Sequence, residues 1–395
     1  MSTGFRQRGR AIAAFLVLSL LLTLVPAIAA GTPSARGQEP ASALDCRPLT
    51  EQRPELLPSG SPAPPPPAGE PASELVPVRI GFVPVSIYAP IFVAYELGYF
   101  AEFGLDVTLE PTSGGSDLIS LTASGNLDIS AAGAGPAFWN AIDLDLPVTV
   151  IAPGHQEGSP VATPLMISRA ACESGAISSV ADLAGKRVSV NAPGGTEFWL
   201  GQALATAGLT IDDVDEQFLP FPDAVAALES GALDAAMIGE PLATQAELDG
   251  LAVRLLPDFP VQDIQPTAII GNDDFLATNP EAATGFVAGY LKAARALSGD
   301  GSKDPGVLAI IQEYTGVPPE LAARAIPPVY QPDGRIDVAS LGQLQSFFRE
   351  RGQLEYDTDI DPATIADLRY VEGALALIGP STPAATLVAH ARVQS

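Results

Sequence analysis

The chain has 395 residues, enough for two or three ordinary domains, and carries 46 acidic against 20 basic side chains, a formal charge of −26. That balance argues against nucleic acid as a partner, because counterion release needs a basic surface. Hydrophobic residues make up 47% and charged ones 17%, the mix of a buried globular core, while two cysteines and two histidines leave little material for zinc or Cys/His chemistry.

Residues 1–30 read as an export element. Arg6, Arg8 and Arg10 precede an apolar run from Ala11 to Val25, Pro26 breaks it, and Ala27-Ile28-Ala29 is a small-residue cleavage site. An uncleaved membrane anchor has the same features, since Ala11 to Ala30 is just long enough to span a bilayer. Either way the rest of the chain is expected outside the cytoplasm, in the periplasm or on the outer face of the membrane. Residues 31–77 hold 12 of the 38 prolines, with Pro64 to Pro67 in a row, and are expected as a disordered, extended stalk. Ala43-Leu44-Asp45 before Cys46 is a poor lipoprotein box. A disulfide to Cys172 and two free thiols both stay open.

Ordered sequence begins near Val78. Strand-like runs (78–83, 105–110, 127–132, 148–152) alternate with helical ones, the first of which stops at Gly98, a C′ glycine. The grammar restarts at Lys186, with strands at 187–190, 216–219 and 235–238, a helix over 197–207 and Pro241 at the N1 position of another. Asp117, Ser124, Gly125, Leu127, Asp128 and Gly133 recur as Asp223, Ser230, Gly231, Leu233, Asp234 and Gly239 at one offset of 106 residues. Turn chemistry explains the middle of that match but not its ends, so the repeat predicts two related α/β lobes.

Thr163–Ser168 and Thr267–Gly271 read as the two crossings between lobes. The boundaries that follow are 78–169 for the first part of lobe 1, 170–264 for lobe 2 and 265–395 for the rest of lobe 1. Helices are expected at Pro280–Leu297 with Asn279 as N-cap, then at 304–314, 319–325, 337–349 and 361–368, all packed on lobe 1.

Ligands of open parallel sheets sit beyond the carboxyl ends of the strands, at helix N-termini. That rule selects Ser86 and Tyr88, Gly115 and Ser116, Gly135 and Pro136, His155, Gly195, Thr196 and Glu197, and Glu240. Thr196 also reads as an N-cap, Glu197 as a dipole partner, and Trp139 as a core residue as readily as a stacking one. His155 has no second histidine near it in the chain and is not expected to bind metal.

The run Tyr88-Ala-Pro-Ile-Phe-Val-Ala-Tyr-Glu-Leu-Gly-Tyr-Phe-Ala-Glu-Phe-Gly-Leu-Asp-Val107 resembles the first helix and second strand of the solute-binding proteins of ABC importers for nitrate, alkanesulfonates, taurine and thiamine pyrimidine precursors. Val180 to Val188 is similar to that family's start of the second lobe, and Asp273 to Pro280 to its return. The resemblance covers roughly 78–375. It implies a two-lobed type II periplasmic-binding-protein fold, a small-molecule solute closed between the lobes, a membrane permease as partner, a monomer, and neither cofactor nor metal. An extracytoplasmic sensor of the same fold is the alternative. A pyrimidine-synthase-like enzyme is disfavoured, because its cysteine-rich active-site segment has no counterpart. Glu197 and Glu240 would repel an anion by roughly a few kcal/mol if both were charged and desolvated. With no arginine in the selected loops, a neutral or cationic solute is expected.

Overall fold

The computed structural model describes residues 44–381 apart from 59, 113 and 263; the expected leader, residues 1–30, lies outside them. Among the described residues no helix is long and apolar enough to cross a membrane.

Two five-stranded sheets carry the body. The first contains β1 (Val76–Phe82), β2 (Leu105–Pro111), β3 (Ile129–Gly133) and β4 (Val148–Pro153). A two-residue strand, β5 (His155–Gln156), follows β4, and β6 (Leu165–Ser168) begins the second sheet. That sheet continues with β7 (Arg187–Val190), β8 (Asp215–Phe218), β9 (Ala235–Met237) and β10 (Ala252–Leu256). The chain then returns to the first sheet as β11 (Thr267–Asn272), and β12 (Val329–Tyr330) later pairs with β5. The orders are β2-β1-β3-β11-β4 and β8-β7-β9-β6-β10, the same pattern twice. The 106-residue repeat is therefore the sequence trace of two equivalent halves.

Each sheet is parallel except for the strand that the other half sends into it. β11 runs antiparallel to β3 and β4, and β6 runs antiparallel to β9 and β10. Thr267 at the start of β11 pairs with Gly133 at the end of β3, and Leu165 at the start of β6 pairs with Met237 at the end of β9. Both crossings thus leave from, and arrive at, carboxyl edges. Two sheets joined in this way by short segments must turn those edges toward one another.

The inner strands are short apolar runs because both faces are covered, as in β11, buried throughout, whereas the edge strands β2 and β8 are largely exposed or half-buried. Val78, Ile80 and Phe82 of β1 and Val188 and Val190 of β7 are all buried. Gly98 takes φ 75° just past the helix Ala89–Glu96, as the sequence predicts.

The C-terminal part departs from expectation in two places. The last helices are a single 3-10 turn, Pro362–Thr364, and a helix at Arg369–Ile378, where one helix over 361–368 was expected. Asp361 caps the turn through its side chain, and a second turn does not follow. The helix Val338–Glu350 packs on the lobe 1 helix Pro136–Asp143 and also on the lobe 2 helix Gly195–Ala205, so these helices do not belong to lobe 1 alone. Phe347 meets Phe198 edge-on at 5.2 Å, which anchors the lobe 2 side of that contact.

The proline-rich stretch, expected as a disordered stalk, lies against the body over its described part. Cys46 is bonded to Cys172, and Leu49 is 2% exposed. The Tyr99 hydroxyl donates to the Pro66 carbonyl, and Lys292 Nζ donates to the Pro67 carbonyl at 3.1 Å. An extended proline-rich chain cannot use its carbonyls internally, which leaves them free to accept from a neighbouring surface.

Candidate functional site

Six helices start at the facing carboxyl edges, three of them at the selected glycine loops. Gly115–Ala123 follows β2, Pro136–Asp143 follows β3, and Gly195–Ala205 follows β7. Their first-turn N–H groups have no partner within the helix and point beyond the strand ends. The halves meet at the second and third of these starts. A Cβ built on Gly135 would stand 3.8 Å from the Gly194 Cα, and one on Gly195 would stand 3.2 Å from Pro266 Cβ. Ala134 N–H donates to the Pro266 carbonyl at 2.9 Å, which holds the β3 loop against the second crossing. Gly194 has φ 140°, a conformation that a side chain would strain.

Gly135, Pro136, Gly195 and Thr196 are therefore brought together. Thr196 is not the N-cap, however. Gly194 holds that position without a side-chain bond, and Thr196 is the second helical residue. Pro241 likewise stands one residue ahead of its helix, Leu242–Leu248. Gly115 and Ser116 open a helix whose N-cap is Gly114, and a Cβ on Gly115 would meet open space.

Ser86 and His155 are linked to each other and to β11 through Tyr330 and Thr267. Ser86 opens a 3-10 turn after β1, and its carbonyl accepts from the Tyr330 hydroxyl at 3.0 Å. Tyr330 pairs with His155 across the β5–β12 ladder. His155 is buried, with Nδ1 2.8 Å from Thr267 Oγ1, and burial pushes its pKa down to about 4. The imidazole is accordingly neutral at physiological pH. Tyr88 is buried in the core, and burial raises its hydroxyl pKa. Trp139 is fully buried beside Phe138, so it is a packing residue.

The two glutamates differ most from expectation. Glu197 is fully buried; its Oε1 accepts from Arg351 Nε at 2.7 Å and its Oε2 from Gln353 Nε2 at 2.7 Å. Glu240 is ion-paired with Arg254 and also accepts from Thr244 Oγ1 at 2.9 Å and from the Ile326 N–H at 3.3 Å. Both are ion-paired with arginines from outside the selected loops, though Arg254 also serves Glu247, and Arg351 also serves Asp212 and Glu216. The repulsion that favoured a neutral or cationic solute is weakened by these pairs.

Gln156 and Glu157 lie with His155 in the loop Gly154–Glu157, which the strand-end rule also selects, although His155 alone is singled out from it. Both are buried, and Glu157 Oε2 accepts from the Ala162 N–H at 2.5 Å while its Oε1 has no partner among the described residues. Burial raises the Glu157 pKa, opposed by hydrogen bonds from Thr163 and Ala162. Nothing in the spacing of this loop distinguishes such a residue from a solvated one. A groove of about 650 Å³, bordered by Phe198, Gln202 and Phe347 among others, contains none of the selected residues. Among the described residues no cluster of three or more His, Cys, Asp or Glu could hold a metal ion.

The fold is that of periplasmic binding proteins. The nitrate-binding protein NrtA of Synechocystis PCC 6803 superposes with a TM-score of 0.62 at 17% identity, over 80% of this chain and 94% of that one. The aliphatic sulphonate binding protein SsuA of Escherichia coli gives 0.61 at 20% identity, over 74% and 92%. In sequence, the nitrate/nitrite binding protein NrtA of Nostoc sp. is 25% identical over 262 residues, 62% of this chain. The chain spans 58% of the length of that relative. Residues 71–311, more than half of the chain, match the NMT1-like family model, and the chain belongs to that family.

Proposed function

We propose that this protein is the extracytoplasmic solute-binding component of an ABC importer, holding one small solute where the two carboxyl edges face. The observation that carries the reading is the approach of Gly135 to Gly194, at 3.8 Å between a built Cβ and Cα. Two loops from different halves, each bare of side chain, leave backbone N–H groups and helix starts as the surface that meets a guest. Closure of two lobes about paired crossings is the motion such an architecture allows.

The Cys46–Cys172 pair suits an oxidising compartment, consistent with export. Relatives named as nitrate and sulphonate binders support a small polar solute, and the arginine partners of Glu197 and Glu240 reduce the repulsion it would meet. The partner is a membrane permease that meets both lobes once they close. One chain supplies both sides of the cleft and acts as a monomer, with no chemical step.

A thermal-shift screen of the intact chain over small metabolites, with nitrate and taurine included, tests this. A guest held at 100 times its Kd stabilises the folded state by about 2.7 kcal/mol and raises the melting temperature. The reading fails if no small solute shifts the transition.

A further inference from the structure

Two crossings connect the lobes in sequence, 154–164 and 257–266, but a third length of chain spans them. We propose that residues 44–75 form a strap that serves as a third connection across the hinge and limits how far the cleft opens. Its first stretch is fixed to lobe 2. Cys46 is bonded to Cys172, Arg169 Nη1 donates to the Cys46 carbonyl at 2.8 Å, and the Leu49 N–H donates to Glu247 Oε1 at 3.1 Å.

The middle of the strap meets both crossings at one carboxylate. Arg53 Nη1 stands 2.9 Å from Asp258 Oδ2 on the second crossing, and Asp258 Oδ1 accepts from Ser159 Oγ on the first at 2.7 Å. Gln262 Nε2 donates to the Gly158 carbonyl at 3.2 Å and joins the crossings again.

The last stretch is fixed to lobe 1. Lys303 Nζ donates to the Leu56 carbonyl at 2.6 Å, and Lys303 directly precedes the Asp304-capped helix Pro305–Thr315. Tyr314 on that helix stacks on Phe92 of lobe 1 at 4.9 Å. Further along, the Gly69 N–H donates to Glu102 Oε2 at 2.8 Å and the Ala72 N–H to the Ala101 carbonyl at 3.1 Å. Any relative motion of the lobes must be taken up between Leu49 and Leu56 or must break one of these bonds. Seven residues give at most about 25 Å when fully extended. Most of the strap, residues 44–70, lies ahead of the residues that the family model matches.

Hydrogen–deuterium exchange of the full chain without solute tests the strap, and its outcome is independent of the transport reading. In a Cys46→Ser/Cys172→Ser variant, amides of 133–135 and 194–197 should exchange faster by about threefold or more, while β1 and β7 keep their protection. Arg53→Ala leaves the disulfide in place and should speed the same two loops together with 157–162 and 257–262. It carries the test alone if the double variant does not fold. Unchanged rates in those loops, or a rise spread evenly over both sheets, would overturn the proposal.

Discussion

Asp234 accepts the Arg187 backbone N–H at 2.9 Å and the Arg187 Nε at 3.0 Å, and Arg187 Nη2 also reaches the Gly231 carbonyl at 3.0 Å. Asp128 does the same for Arg79, at 2.8 and 3.1 Å, with Gly125 accepting at 2.8 Å. The repeated Ser-Gly-x-Leu-Asp is thus a device that ties each helix-to-strand turn to the neighbouring strand. Gly125 and Gly231 supply its left-handed residue at φ 71° and 73°.

Asp128→Ala and Asp234→Ala should each lower unfolding free energy by about 1.5 kcal/mol, the low end for a charged hydrogen bond, because the arginines are partly in water. Burial acts to raise the Asp234 pKa, but the hydrogen bonds from the Arg187 side chain and backbone outweigh it and hold it below the usual value. A carboxylate with a depressed folded pKa stabilises above its unfolded pKa and loses that contribution as pH falls through the folded one. Denaturant titrations of both variants check this. A loss confined to one lobe would contradict the equivalence of the two turns.

Arg254 stands between two buried carboxylates, paired with Glu240 and with Glu247 Oε2 at 3.0 Å. Burial acts to lower its pKa, and the two glutamates more than offset this. Arg254→Met should cost about 3–5 kcal/mol, because it strands two charges where water does not reach. Adding Glu240→Gln and Glu247→Gln to Arg254→Met should recover part of that loss. Thermal unfolding at neutral pH reads both. Equal stability of the single and triple variants would show that the pairing matters less than the packing of the guanidinium.

Much of the fold was legible in the sequence because its signals are local. The Ser-Gly-x-Leu-Asp turn of each half, Gly98 just past the first helix, and the apolar runs 163–168 and 267–271 all depend on residues a few positions apart, although those two runs are the strands β6 and β11 and not the crossings, which are 154–164 and 257–266. The partner of Glu197 was not legible for the opposite reason. Arg351 and Glu197 are 154 positions apart, and no periodicity links them. The loops selected for the cleft came from topology, which places strand ends together without saying which side chains are already spoken for. The strap was misread on composition: its prolines leave most of it without helix or ladder, yet Leu49–Gln52 and Pro54–Leu56 are helical turns, and proline does not forbid docking.

The cleft glycines separate closure from folding. A Cβ on Gly154 would come within 2.6 Å of the Thr267 backbone, so Gly154→Ala should lower stability by roughly 1–3 kcal/mol through overpacking. A Cβ on Gly135 meets only ordinary contact at 3.8 Å, so Gly135→Ala should melt like the parent chain. Gly135→Leu should also fold but hold the two loops apart, and it should lose the solute-induced thermal shift. Melting curves of the three variants with and without solute distinguish these outcomes. A full shift in Gly135→Leu would place the guest elsewhere.

A buried histidine and a half-buried glutamate give stability opposite slopes in the same pH window. Burial lowers the His155 pKa from 6.5 to about 4, so between those values the unfolded chain binds more protons than the folded one. This contribution is fully present above pH 6.5 and is lost as pH falls toward 4. Glu216 moves the other way. Burial first, then the charge of Glu197, raises its pKa from 4.5 to about 7, although Arg351 Nη2 donates to its Oε2 at 2.7 Å and opposes the shift. The folded state then holds the extra proton, and stability falls as pH rises from about 4.5 to about 7. Glu216→Gln should remove that fall, leaving a melting temperature that climbs more steeply from pH 5 to pH 7 than in the parent chain. His155→Gln should do the reverse and leave a declining one. Melting temperatures across this range read both slopes at constant ionic strength, and a Glu216→Gln profile parallel to the parent's would mean that Arg351 keeps this carboxylate charged throughout.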